Sequence, residues 1–274
     1  MKKHAITYGL TAFALALTLA ACGSKNTSSK SKTTTVKVGI IGSDKRIWNP
    51  VADKLKKQHI NLQIVSFTDY NKPNQALVDG DIDINAFQHQ YFLDNWNKSH
   101  KQNLKSIGQT VLAPLKVYSD NIKNLHDLKK GDEVTVPNDP TNEGRALQLL
   151  ETAGLIKLDK AALPTTHDIK ANKAGLKITA IDASQTARSL KSAKAAVVND
   201  GVATDAGLKP SQSIYTEKIT AKSKPWINII VTKDSQKHNK VYQKVVKAFQ
   251  TKATEQNIKR VYKGNEVAAW NYKF

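Results

Sequence analysis

One cysteine, Cys22, stands in the 274 residues, so the chain cannot close a disulfide on itself and its body must be stabilised by packing alone. Arginine is nearly as scarce. Only Arg46, Arg145, Arg188 and Arg260 interrupt a set of 38 lysines, within a formal charge of +19. Lysine is a hydrated point charge, whereas arginine supplies the planar fork of specific phosphate recognition. The lysines are scattered, with no aromatic-interleaved basic run, so the excess reads as a solvated surface and no nucleic acid is expected as a partner. Catalytic patterns are also missing: there is no His-x-x-x-His pair, no G-x-S-x-G elbow and no phosphate-binding glycine loop. Asp81-x-Asp83-x-Asn85 opens like a calcium loop. The turn glycine and bidentate glutamate such a loop needs are replaced by Ala86 and Phe92, which excludes calcium. No metal, no cofactor and no enzymatic activity are expected.

What is present begins at the N-terminus. Lys2 and Lys3 precede an apolar run through Leu10, Phe13, Leu15, Leu17 and Leu19, shorter than the about 20 residues that span a bilayer. Small residues and Cys22 close it, as in a secretory signal peptide. Leu19-Ala20-Ala21-Cys22 resembles the bacterial lipobox, which implies cleavage after residue 21 and lipidation of Cys22. Acyl chains contribute about 0.8 kcal/mol per buried methylene, so two or three would hold the protein on the extracytoplasmic face of the cell membrane. The mature chain would carry +17 once Lys2 and Lys3 are removed. From Cys22 to residue 35 there is no apolar side chain beyond the cysteine, and the segment reads as a flexible, lipid-anchored linker.

From Val36 onward strand and helix patterns alternate. Strands are expected at Val36–Ile41, Asn61–Phe67, Asp81–Ile84, Glu133–Val136, Leu176–Ile181, Ala195–Val198 and Trp226–Val231. Helices are expected from Pro50 to about His59, at Pro73–Asp79, and from Thr141 or Asn142 to Thr152 with Gly154 as the stop. A final helix carries Val241, Val245, Val246 and Phe249. The alternation implies an α/β protein built of βαβ units around parallel sheets. Its two runs of units imply two lobes, 36–115 plus 225–274 and 116–224, joined by two crossovers, with a ligand cleft between them.

Several residues could hold a small solute. In Val136-Pro137-Asn138-Asp139-Pro140-Thr141-Asn142-Glu143-Gly144-Arg145 a strand meets a helix whose N-terminus favours an anion. Arg145, placed in the first turn, would add a bidentate fork for a carboxylate. Asn199 and Asn228 lie at or within apolar strands, where an amide needs partners and suits a zwitterion, since it both donates and accepts. His89 is the one histidine in an aromatic-rich stretch, Phe87-Gln88-His89-Gln90-Tyr91-Phe92.

Together with Phe67-Thr68-Asp69-Tyr70, Asp81–His89, Ala196–Asn199 and Ile227–Val231, these segments resemble the methionine-binding lipoprotein family, the solute receptors of methionine importers. The resemblance runs from about residue 36 to the C-terminus. It implies that Arg145 takes the ligand carboxylate with Asn142 beside it, that Asn199 and Asn228 hold the amino-acid backbone, and that Tyr70, Phe87 and His89 line the side-chain pocket. It further implies a monomer that delivers L-methionine, a close relative or a short methionine peptide to an ABC permease and its ATPase. Ala113 and the pair Gln90-Tyr91 depart from the family pattern near the side-chain pocket. The rival expectation is a surface adhesin that uses its basic face to hold host or cell-wall polymers.

Overall fold

A computed structural model describes residues 33–274; the expected signal peptide, Cys22 and most of the expected linker fall outside them. Strands β1 (Thr34–Ile41), β2 (Ile60–Phe67), β3 (Ile84–His89) and β4 (Leu104–Leu112) alternate with helices α1 (Lys45–Lys56), α2 (Pro73–Asp79) and α3 (Gln90–His100). A second group follows: β5 (Lys116–Tyr118), β6 (Glu133–Pro137), α4 (Pro140–Thr152), β7 (Lys157–Leu158), β8 (Ile169–Ala171), β9 (Lys177–Ile181), α5 (Thr186–Ser189), β10 (Ala195–Val198), α6 (Asp200–Asp205) and β11 (Ser213–Thr216). The chain then returns through β12 (Ile227–Lys233), α7 (Lys240–Phe249), α8 (Lys252–Val261) and β13 (Val267–Ala268).

The strands form a six-stranded sheet, in the order β13-β4-β12-β3-β1-β2, a five-stranded sheet, β11-β5-β10-β6-β9, and a separate antiparallel pair, β7-β8. Each sheet has its own apolar core. Val38, Ile40, Trp48, Leu55, Val245 and Phe249 fill the first, and Val117, Val134, Val136, Leu147, Leu150 and Val197 the second. The result is the expected two-lobed α/β fold. The sheets are mixed rather than parallel, because β12 runs antiparallel to both β3 and β4, and β5 antiparallel to β10 and β11. No helix among the described residues is long and apolar enough to cross a membrane.

Local chemistry shifts several boundaries. β1 starts at Thr34, inside the expected linker, because Thr34 and Thr35 pair with Ile60 and Asn61. Helix α1 starts at Lys45, a turn before Pro50. A proline there leaves the carbonyl four residues back without its helical donor, and Asn257 Nδ2 donates to that Arg46 oxygen at 2.9 Å. The expected strand at Asp81–Ile84 begins only at Ile84. Asp83 instead turns its carboxylate onto the Lys37 backbone N–H at 2.7 Å. Gly154, at φ +81°, ends α4 as expected, in the left-handed conformation that costs glycine least.

Behind β3 a buried amide cluster fixes α2. Asn74 Nδ2 donates to Gln88 Oε1 at 2.8 Å, Gln88 Nε2 returns a bond to Asn74 Oδ1 at 2.6 Å, and Asn85 Nδ2 donates to Asn74 Oδ1 at 2.9 Å. Leaving a buried polar group unpaired costs about 1–3 kcal/mol. Asn74→Leu is therefore expected to destabilise the protein by about 2 kcal/mol, a fall in Tm of roughly 4–8 °C for a domain of this size. Scanning calorimetry checks this; an unchanged Tm would show the cluster to be energetically neutral.

Candidate ligand-binding site

The carboxyl ends of β1, β3, β6 and β10 converge, the position at which α/β sheets bind ligands. A partly enclosed cavity of about 70 Å³ lies there. All seven residues singled out from the sequence as ligand-binding line it: Tyr70, Phe87, His89, Asn142, Arg145, Asn199 and Asn228. Lipidation of Cys22 lies outside the described residues.

Strand β3 supplies Phe87 and His89, and His89 also caps α3. Its Nδ1 accepts the Phe92 N–H at 3.0 Å, so Nε2 carries the ring hydrogen and donates to Asn142 Oδ1 at 3.3 Å. Burial, and then the nearby Arg145 charge, push its pKa down to about 3, against a smaller opposing effect of the Asn142 bond. His89 is therefore a neutral donor across the physiological range. On the other sheet's side, Asn142 Oδ1 also accepts from Asn199 Nδ2 at 3.0 Å, and Asn142 Nδ2 donates to Asp139 at 2.9 and 3.0 Å. Asn228 stands level with His89 on β12.

Two features of the anion reading change. The N-terminus of α4 already has an anion, since Asp139 caps it through the Asn142 N–H at 3.0 Å. Arg145 sits in the second turn, not the first, because the helix starts at Pro140. Its fork is partly engaged: Nε donates to Glu217 Oε1 at 3.1 Å, Nη2 to Glu217 Oε2, and Nη2 also to the Ala113 carbonyl at 2.9 Å. The guanidinium lies over the Trp226 ring, 4.7 Å from its centroid. The carboxylate partner fixes the arginine and leaves Nη1 without a bond to the protein.

The apolar wall is a ring of aromatics. Phe92 meets Phe87 edge-on at 5.7 Å and Tyr70 at 6.4 Å, and Tyr70 lies 6.1 Å from Phe87. Trp226 packs edge-on against His89 at 4.9 Å. The sequence pattern did not single out Phe92, Trp226 or Glu217. Phe92 lay within the aromatic stretch already noted, three residues from His89; nothing near Glu217 in sequence marks it as the partner of Arg145, 72 residues away.

A two-lobed α/β body with a polar and aromatic cavity at its strand ends defines a solute-binding protein. The sequence profile of NlpA lipoprotein matches residues 36–270, and the chain belongs to that family. It is 40% identical over 261 residues to a D-methionine-binding lipoprotein MetQ of Salmonella typhi, covering 93% of this chain and 94% of that one. The crystal structure of protein PG110 from Staphylococcus aureus superposes with a TM-score of 0.83 at 45% identity, covering 85% of this chain and 94% of PG110. The substrate-binding protein of a methionine transporter from Streptococcus pneumoniae gives 0.82 at 42%, covering 86% and 96%.

Proposed function

We propose that this chain is the solute receptor of an ABC importer and that its cavity holds methionine, a close relative or a short methionine peptide. The observation that carries this is the convergence, in one cavity between the two sheets, of Arg145, Asn142, Asn199 and Asn228 with the aromatic wall of Tyr70, Phe87 and Phe92. The free Nη1 edge of Arg145 receives the ligand carboxylate and the asparagine amides hold the backbone groups. Aromatic faces suit a thioether, whose sulfur–ring contacts contribute about 0.3–1.5 kcal/mol. The names of the Salmonella and Streptococcus relatives support methionine as the solute.

In this reading residues 36–115 plus 225–274 form one lobe and 116–224 the other, and they close on the ligand by rotation about the two connections. The closed form docks as a monomer on a permease whose separate subunit hydrolyses ATP, and the solute leaves unaltered. Lipidated Cys22 and the linker to residue 35 keep the receptor on the extracytoplasmic face of the membrane, within reach of that permease. A thermal-shift screen of the common amino acids and methionine-containing dipeptides tests the assignment. Ligand at 100 times its Kd adds about 2.7 kcal/mol of stability, so methionine compounds should raise Tm clearly while aspartate and lysine leave it unchanged. No shift with any methionine compound would overturn the proposal.

A further inference from the structure

Beyond the groups already placed, the cavity wall includes three carboxyls: Asp44, Asp200 and Glu266. They come from both sheets. Asp44 ends the turn after β1 and Glu266 immediately precedes β13, whereas Asp200 opens α6 directly after Asn199. Asp200 and Glu266 are buried, 4% and 5% exposed. Lys116 Nζ donates to Asp200 Oδ1 at 2.9 Å, but the buried Asp200 Oδ2 has no N–H or O–H donor, and neither has the buried Asn199 Oδ1 beside it. The groups facing Glu266 are Asp200, Asp44 and Lys116. Facing Asp44 are the Tyr262 hydroxyl, which donates to it, and Asp205, Arg46 and Asp200.

An unpaired carboxylate oxygen this deep is costly. Two carboxyls that share one site disfavour each other's ionisation. Burial accordingly holds Glu266 well above the ordinary carboxylate range and Asp44 up at about 6. We propose that Asp200 and Glu266, with Asp44 and Asn199 beside them, form the ammonium subsite of this cavity: a ligand's primary ammonium donates to the unpartnered Asp200 Oδ2 and Asn199 Oδ1 and to the Glu266 carboxylate. The O–H bond of Glu266 breaks, its proton passes to solvent, and the intact R–NH3+ stands between two carboxylates. The inference rests on the reading of the cavity as an amino-acid site.

By linkage, affinity rises with pH, up to tenfold per unit while Glu266 still holds its proton, and levels off once it does not. His89 contributes nothing to this slope above about pH 4, since it titrates near 3. The ammonium belongs either to a free amino acid or to the N-terminus of a peptide. Titration calorimetry of the mature protein with L-methionine and with alanyl-methionine, in two buffers of different ionisation enthalpy between pH 5 and 8, separates these sources. The expected result is release of close to one proton by whichever compound seats its ammonium there. Glu266→Gln should bind that compound more weakly and release almost none. The methionine analogue lacking its amine, 4-(methylthio)butanoate, should release none with the unaltered protein. Tight binding of methionine or the dipeptide with buffer-independent enthalpy and pH-independent affinity would overturn the subsite while leaving the proposed function standing. Binding of neither compound would overturn both.

Discussion

Arg145→Ala is expected to lower affinity for methionine by about 1,000-fold while the protein stays folded. The guanidinium spends Nε and Nη2 on Glu217 and the Ala113 carbonyl, so its fork is already oriented before a ligand arrives. Truncation removes the charge that meets the ligand carboxylate. It also leaves Glu217, only 18% exposed at its side chain, as an unpaired anion beside it. Removing one partner of a desolvated charge pair costs about 2–5 kcal/mol, which corresponds to roughly 30- to 4,000-fold in Kd. Arg145→Lys retains charge without the fork and should recover only part of the loss. Calorimetric titration decides the matter, with circular dichroism to establish folding; wild-type affinity in the alanine variant would remove Arg145 from the site.

The second large effect concerns stability. Lys116 and Asp200 form an ion pair whose side chains are 4% and 1% exposed, joining the first strand of the second sheet to α6. Lys116→Met leaves Asp200 buried without its cation, a change that costs about 3–5 kcal/mol in such pairs. A fall in Tm of roughly 6–20 °C should follow. Replacing the pair by apolar residues is often neutral, so the double variant Lys116→Met with Asp200→Leu should regain most of the loss while losing the ammonium subsite. A single variant within 1 °C of wild type would contradict this account of the pair.

The elements that were legible in the sequence are those whose burial is written locally. Val36–Ile41, Glu133–Val136 and Ala195–Val198 are apolar runs bounded by turn residues, and each is a strand. Pro73–Asp79 carries its proline at the helix start and a glycine just past its end, and is a helix with those bounds. The failures have distant causes. Pro50 looked like a helix start because a proline breaks the ladder inside a helix; Asn257 repairs that break from 211 residues away. Asp81–Ile84 alternates like a strand, but Asp83 is on hydrogen-bonding duty to Lys37. The antiparallel course of β12 is a property of the return path between lobes, which no periodicity encodes.

The site divides the same way. Asn142 and Arg145 at the start of α4 and Asn199 at the end of β10 stand out because an amide or a rare arginine beside an apolar run calls for partners. Asp44, Asp200 and Glu266 do not stand out, since an acid in a turn or at the start of an element looks like surface until the tertiary fold buries it. Glu217 is hidden for the same reason.

The most direct measurement of the central claim is native mass spectrometry of freshly purified protein, followed by denaturation and identification of any released small molecule. A bound solute is expected that proves to be methionine, a close relative or a short methionine peptide, present at up to one per chain and replaceable by added methionine. Protein that carries no solute, takes up no methionine compound, and instead binds anionic polymer in a salt-sensitive way would contradict it.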